Sequence, residues 1–169
     1  MPIDGVYSGV RKLIGSAVLP LVLFLVGCGP TVDLTTALRV EGIATGWSDA
    51  GVVDGKTKLV PTVRFRLKNA SDQKLPTLQV NALFRRVNET NEWGSGFLTA
   101  AGSDGLPPGG ATDPLSIASQ LGYTGTEESA LMLINSRFVD AKVDLYAKYG
   151  STNWVRVGEY AIARQLIPR

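Results

Sequence analysis

Cys28 is the only cysteine in a chain of 169 residues that contains no histidine at all. Without imidazole, Ser-His-Asp and Cys-His nucleophilic sites are excluded, as is any zinc or proton-transfer site that needs a histidine. Carboxylate pairs are the catalytic candidates that remain, because two acids suffice for glycoside hydrolysis. Glu127 and Glu128 are adjacent. They stand where a helix is predicted to begin, and the helix dipole favours acidic residues there. Gly55-Lys56-Thr57 in DGKTK (54–58) matches the end of a phosphate-binding loop, but the glycine required five positions before Gly55 is Ala50. A polar hairpin turn is the expectation. No catalytic residue, metal or cofactor is therefore assigned, and the chain is not expected to be an enzyme.

The residues that suggest contact with another molecule are cations and one tryptophan. Arg64, Arg66 and Lys68 alternate with apolar residues, and Arg85 and Arg86 follow a second alternating stretch. If the two stretches pair, their outward positions gather cations on one sheet face, suited to an anionic headgroup, a polysaccharide or an acidic partner. Mutual repulsion makes an ordinary solvated strand face the competing explanation. Trp47, Trp93 and Trp154 all stand near predicted strand ends. Core is the expectation for any one of them, and Trp93, with polar neighbours in NETNEWGSG, is the one singled out as a binding candidate. The loop AAGSDGLPPGGATDP (100–114) is too rich in Gly and Pro for regular structure and is a second contact candidate. Asn69-Ala-Ser71 and Asn88-Glu-Thr90 match the glycosylation sequon and are read as loop residues.

The elements that must position these residues begin with the surroundings of Cys28. Arg11 and Lys12 precede an apolar run, Leu13 to Val26, of 14 residues interrupted by Pro20. A spanning helix needs about 20 apolar residues. A basic segment, a short apolar run and a small residue before a cut are the pattern of a secretory signal peptide. The quartet Leu25-Val26-Gly27-Cys28 resembles the bacterial lipobox. Membership of the lipoprotein class implies a diacylglycerol on the Cys28 thiol, cleavage before Cys28 and acylation of the new amino group. The expected organisation is a cleaved signal peptide (1–27), a lipidated tether (28–36) and a folded domain (37–169). The capped thiol leaves no free cysteine in an oxidising compartment. Several acyl chains, at about 0.8 kcal/mol per buried methylene, anchor firmly without a transmembrane helix. Asp directly after the cysteine is the inner-membrane retention signal of many such proteins, and here that position is Gly29. The resemblance thus implies an outer-membrane anchor with the domain facing the periplasm.

Removing residues 1–27 leaves 142 residues with 15 basic (17 minus Arg11 and Lys12) and 14 acidic (15 minus Asp4) side chains. A nucleic-acid partner needs clustered excess charge, and a formal charge of +1 gives no reason to expect one. The length suits one domain with one core.

That core is predicted to be all-β. VPTVRFRLKN (60–69) puts Val63, Phe65 and Leu67 on one face, and TLQVNALFRRV (77–87) does the same with Leu78, Val80, Ala82 and Phe84. The polar loop NASDQKLP between them predicts an antiparallel pair. DAKVDLYAKYG (140–150) and WVRVGEYAIARQLI (154–167) predict a second hairpin, with a bulge at Gly158 that returns Tyr160 and Ile162 to the inward face. Further strands are predicted at 37–47, 96–100 and 114–119. One short helix is predicted over 124–135, opened by a Thr124 and Glu127 capping box. Six or seven short strands in this length suggest a single immunoglobulin-like β-sandwich. VRFRLKNASDQKLPTLQVNALFRR, with Asn69 ending its first strand, resembles FxLYD and late-embryogenesis-abundant type immunoglobulin-like domains. That class implies a binding or spacer module outside the cytoplasm, without a shared active site. The function expected is a membrane-anchored scaffold that docks on another envelope component. The alternative is a small-ligand or lipid carrier, which the large inward residues Phe65, Leu67 and Phe84 disfavour because they tend to fill a small sandwich.

Overall fold

A computed structural model describes residues 31–168 together with Met1 and Gly5. Cys28, the quartet around it and the apolar run before it lie outside the described residues. β1 (Leu38–Val53) and β2 (Lys56–Asn69) form a long hairpin. It closes through Asp54 and Gly55, both at positive φ (51° and 71°), the backbone that a two-residue turn needs to join right-twisted strands. The Gly-Lys-Thr motif is thus the start of a hairpin arm.

β3 (Leu78–Arg86), β4 (Gly94–Ala101), β5 (Leu115–Ala118), β6 (Tyr123–Gly125), β7 (Ala141–Tyr149) and β8 (Val155–Ala161) follow. Two short helices complete the set: α1 (Leu34–Ala37) and α2 (Ser129–Ile134). One antiparallel sheet runs β1-β2-β5, with β6 also on β2, and the other runs β4-β3-β7-β8. The chain crosses between sheets three times, after β2, after β4 and after β6, as immunoglobulin-like sandwiches do. Between the layers Val63, Phe65 and Leu67 share a buried core with Val80, Ala82, Phe84, Val143, Leu145 and Ala147.

The β7-β8 hairpin carries its bulge where glycine permits it. Leu145 is opposite Gly158 and Tyr146 opposite Arg156, so Val157 is the extra residue. Beyond it Tyr160 packs on the core and Ile162 is buried.

Three expectations need correction. β2 and β3 do not pair: β2 bonds to β1, β5 and β6, and β3 bonds to β4 and β7. Residues 70–77 arch from one sheet to the other instead. Leu75, fully buried, exchanges two backbone bonds with Leu106 (3.0 and 2.9 Å), and burying a leucine contributes about 1.5–3 kcal/mol. A tight β2-β3 hairpin would leave that side chain in water. Asn69 organises the arch from a buried position. Its amide donates to the Gln73 and Leu106 carbonyls (2.7 and 3.0 Å), and its side-chain oxygen accepts from the Ser71 N–H (3.0 Å). The 100–114 loop is pinned along with it, since Thr112 N–H donates to the Leu67 carbonyl and Thr77 N–H to that of Gly102.

The second correction concerns the helix. Thr124 pairs with Lys58 in β6, and α2 begins only at Ser129, after Glu128, which makes no side-chain capping bond. Strand pairing with β2 satisfies the backbone of 123–125 and half-buries Tyr123, which the predicted capping box would have left outside. Third, the segment expected as a tether is packed from Val32 onward. Asp33 caps α1 by accepting from the Thr35 N–H at 2.9 Å, Leu34 is buried, and the Val32 N–H donates to the Tyr149 hydroxyl at 2.6 Å.

Candidate functional site

Strand assignment to sheets decides where the cations go. Arg64, Arg66 and Lys68 alternate with the inward row of β2 and face out of the first sheet, with Glu41 opposite Arg66 and Arg39 opposite Lys68. Arg85 and Arg86 belong to the other sheet, so the five do not form one patch. Arg85 pairs with Asp144, whose carboxylate is buried, and its Nε donates to the Thr90 carbonyl at 3.1 Å. Arg156 Nε stands 3.2 Å from the other Asp144 oxygen, an ion pair out of hydrogen-bond alignment.

Arg86 continues the inward row of Phe84 and enters an aromatic cluster. Its guanidinium lies 5.0 Å from the Trp93 ring and 5.7 Å from that of Tyr123, within cation–π range. Glu89 sits 3.6 Å away. Trp93 stacks obliquely on Tyr123 at 4.9 Å, Tyr123 on Phe138 at 4.8 Å, and Phe138 meets fully buried Trp47 edge-on at 4.6 Å. Each ring is fixed by backbone. Trp93 N–H donates to the Phe84 carbonyl, and Trp47 is held between Gln165 and Ile167 of the C-terminal segment (2.8 and 3.0 Å). That segment runs so close to β1 that a Cβ on Gly46 would stand 2.8 Å from the Gln165 carbonyl oxygen. The indole N–H of Trp47 and Nε of Arg86 are buried without a hydrogen-bond partner among the described residues. Burial pushes the Tyr123 hydroxyl pKa up against the opposing pull of Arg86, and the hydroxyl donates to the Val139 carbonyl at 3.2 Å.

Outside this cluster lies a pocket of about 190 Å³ walled by Tyr123, Gly125, Met132 and Phe138, with Glu127 and Arg137 also lining it. Arg164 binds its wall together. It is bidentate to Asp140 (2.6 and 3.2 Å) and donates to the Phe138 carbonyl at 3.0 Å. Leu131, Ile134 and Val139, on the segments that form the wall, are exposed, Ile134 to 76%. Leu166, bridged to Trp47, is exposed as well. Glu127 and Glu128, singled out as a carboxylate pair, have different positions. Glu127 lines the pocket within 3.5 Å of Asn135 Nδ2, and Glu128 is the N-cap of α2.

Trp93, the tryptophan singled out for binding, is partly buried against the core. Trp154 is the exposed one. Both stand among polar residues near a turn, so local sequence does not separate them. The separating signal is which row each neighbour continues.

No family model and no curated protein matches this chain. Among solved structures, it is similar to the X-ray structure of Northeast Structural Genomics Consortium target SoR45, 14% identical over 78% of this chain and 89% of that chain, with a TM-score of 0.44. A likeness that low carries no argument about function.

Proposed function

We propose that this chain is an envelope lipoprotein, anchored by acylated Cys28, whose sandwich is a non-enzymatic module that docks on another envelope protein through the end remote from its anchor. The observation that carries this reading is the polarity of the domain along its strands. Val32, four residues after Cys28, packs against Tyr149 at the end of β7. The pocket and the exposed Leu131, Ile134 and Val139 gather near the start of the same strand. Nine residues at about 3.4 Å each put the two ends roughly 27–30 Å apart. Large aliphatic side chains exposed around one pocket are the kind of surface that binds protein. The partner chemistry it fits is an apolar anchor side chain flanked by charges of both signs, to meet Glu127 and Arg137.

The anchor reading is tested by fatty-acid labelling. The wild type takes up label and fractionates with the outer membrane, and Cys28→Ser takes up none; normal labelling of that variant rejects acylation at Cys28. The docking reading is tested by placing a photo-crosslinking residue at Ile134 or at Arg66 in intact cells. A discrete protein adduct is expected from 134 and none from 66. The opposite pattern moves the contact to the cationic face of the first sheet. A carrier would need a hollow interior. Ala82→Leu, at a fully buried position, is therefore expected to cost about 1–3 kcal/mol by overpacking; an undestabilised variant that has lost co-purified lipid supports the carrier instead.

A further inference from the structure

Two aromatic rings lie uncovered on the outer face of the β4-β3-β7-β8 sheet. Phe97 of β4 is 58% exposed and Trp154, just before β8, is 39% exposed. The rings meet edge-on, with centroids 6.2 Å apart and planes at 79°. β4 and β8 are the two edges of this sheet, so the pair closes over the middle strands, where Phe97 has Asn81 opposite it and Gln79 faces Lys148. The Lys148 ammonium stands 5.1 Å from the Trp154 ring. A tryptophan, a phenylalanine and a lysine thus stand together in water above a polar sheet face.

Their place in the chain says what covers them. Lys148 and Trp154 flank the turn after Tyr149, and Tyr149 is the residue that receives the Val32 N–H at 2.6 Å. Val32 is four residues beyond Cys28, and extended chain spans at most about 3.6 Å per residue. The Cα of Cys28 is therefore within about 14 Å of Val32. An acylated Cys28 lies at the headgroup level of its bilayer, which keeps this end of the domain against the membrane surface.

We infer that the proximal half of this sheet face rests on the bilayer that carries the anchor, with Phe97 and Trp154 seated among the headgroups and Lys148 on anionic lipid phosphate. The inference rests on acylation of Cys28. Tryptophan is enriched at membrane interfaces because its ring is apolar with one polar edge. Lysine beside it lays its stem along apolar surface and keeps its charge among the phosphates. The anchor then fixes an orientation as well as a location, and the far end with its pocket is held away from the membrane.

The experiment uses the full acylated chain in vesicles of phosphatidylethanolamine and phosphatidylglycerol with brominated acyl chains, which quench tryptophan on contact. Trp47 and Trp93 sit at the far end and act as unquenched internal standards. Wild type is expected to lose emission relative to non-brominated vesicles, and Trp154→Phe is expected to float with vesicles equally well while losing most of that quenching. Near-ultraviolet circular dichroism of the variant confirms that it is folded. Lys148→Glu should reduce the quenching in these vesicles and have little effect in phosphatidylcholine alone. Acylated, floating protein whose quenching is absent, or is unchanged by Trp154→Phe, overturns the orientation and leaves the anchor standing. Protein that carries no acyl group and does not float overturns both. A discrete protein adduct from a photo-crosslinker at Phe97 in cells, with no quenching in vesicles, assigns the face to a protein partner and also rejects the inference.

Discussion

Each end of the sandwich pairs a tryptophan with a cation, and the two pairs differ in almost everything else. At the far end Arg86 lies over Trp93 and Tyr123, which lean on buried Trp47 and Phe138. At the near end Lys148 lies over Trp154, whose neighbouring ring, Phe97, is itself in water. Strand phase separates them. Arg86 is in step with Phe84 and Ala82, so its guanidinium caps the core. Lys148 is out of step with Ala147 and Leu145, so it points away from the core. The far cluster is consequently part of what holds the fold, whereas the near one is surface.

Removing a ring tests this contrast most severely. Trp47→Ala is expected to cost about 3–5 kcal/mol through lost contacts and the cavity left behind, while Trp154→Ala stays within about 1 kcal/mol, as surface changes do. Equal shifts in thermal or urea unfolding would erase the distinction between the ends. A somewhat smaller loss is expected at the arch that sends β3 into the other sheet. Asn69→Ala strips partners from the Gln73 and Leu106 carbonyls and the Ser71 N–H, at a cost of about 1–3 kcal/mol. Stability unchanged in urea would mean that Leu75 alone holds the crossing.

The cations sharpen the comparison further. Arg86→Met keeps the apolar stem and loses the charge over two rings, a cost of about 1 kcal/mol, whereas Lys148→Met is expected to stay within about 0.5 kcal/mol. A larger effect at Lys148 in the absence of lipid would reverse the roles assigned to the two ends. The smallest effect is a pH dependence. Burial raises the Tyr123 hydroxyl above its ordinary value of 10.0, so the native state keeps this proton when the unfolded chain has begun to lose it. Stability from this group is complete below pH 10 and falls as pH climbs above it. Tyr160 is raised by burial in the same direction, so Tyr123→Phe is expected to remove only part of the alkaline slope. An unaltered slope would show that the Tyr123 hydroxyl is not buried in solution.

Residues 60–69, 77–87 and 140–150 show why strands were legible. Alternation with period two defines an inward row whatever the partner, because side chains on a strand leave on alternate faces. Gly158 and Asp54-Gly55 were legible for a similar reason, since a bulge and a two-residue turn each demand a particular local backbone. The basic row was half legible. Arg64, Arg66 and Lys68 do face outward together, but their union with Arg85 and Arg86 assumed a hairpin that buried Leu75 forbids. The Thr124 capping box failed because pairing of Tyr123–Gly125 with β2 outweighed a local helix-start signal.

By itself, then, the sequence determined what is local: which residues are strand, which face of each is apolar, where the chain turns, and that no histidine chemistry is available. Only the tertiary structure decided which sheet each strand joins, which of Trp93 and Trp154 is covered, and that Val32 and Leu34 pack against the domain. Those outcomes depend on contacts between residues far apart in sequence, such as Leu75 with Leu106, Trp47 with Phe138 and Val32 with Tyr149. Such contacts leave no periodic trace in the chain, because their energy arises only when distant segments bury one another.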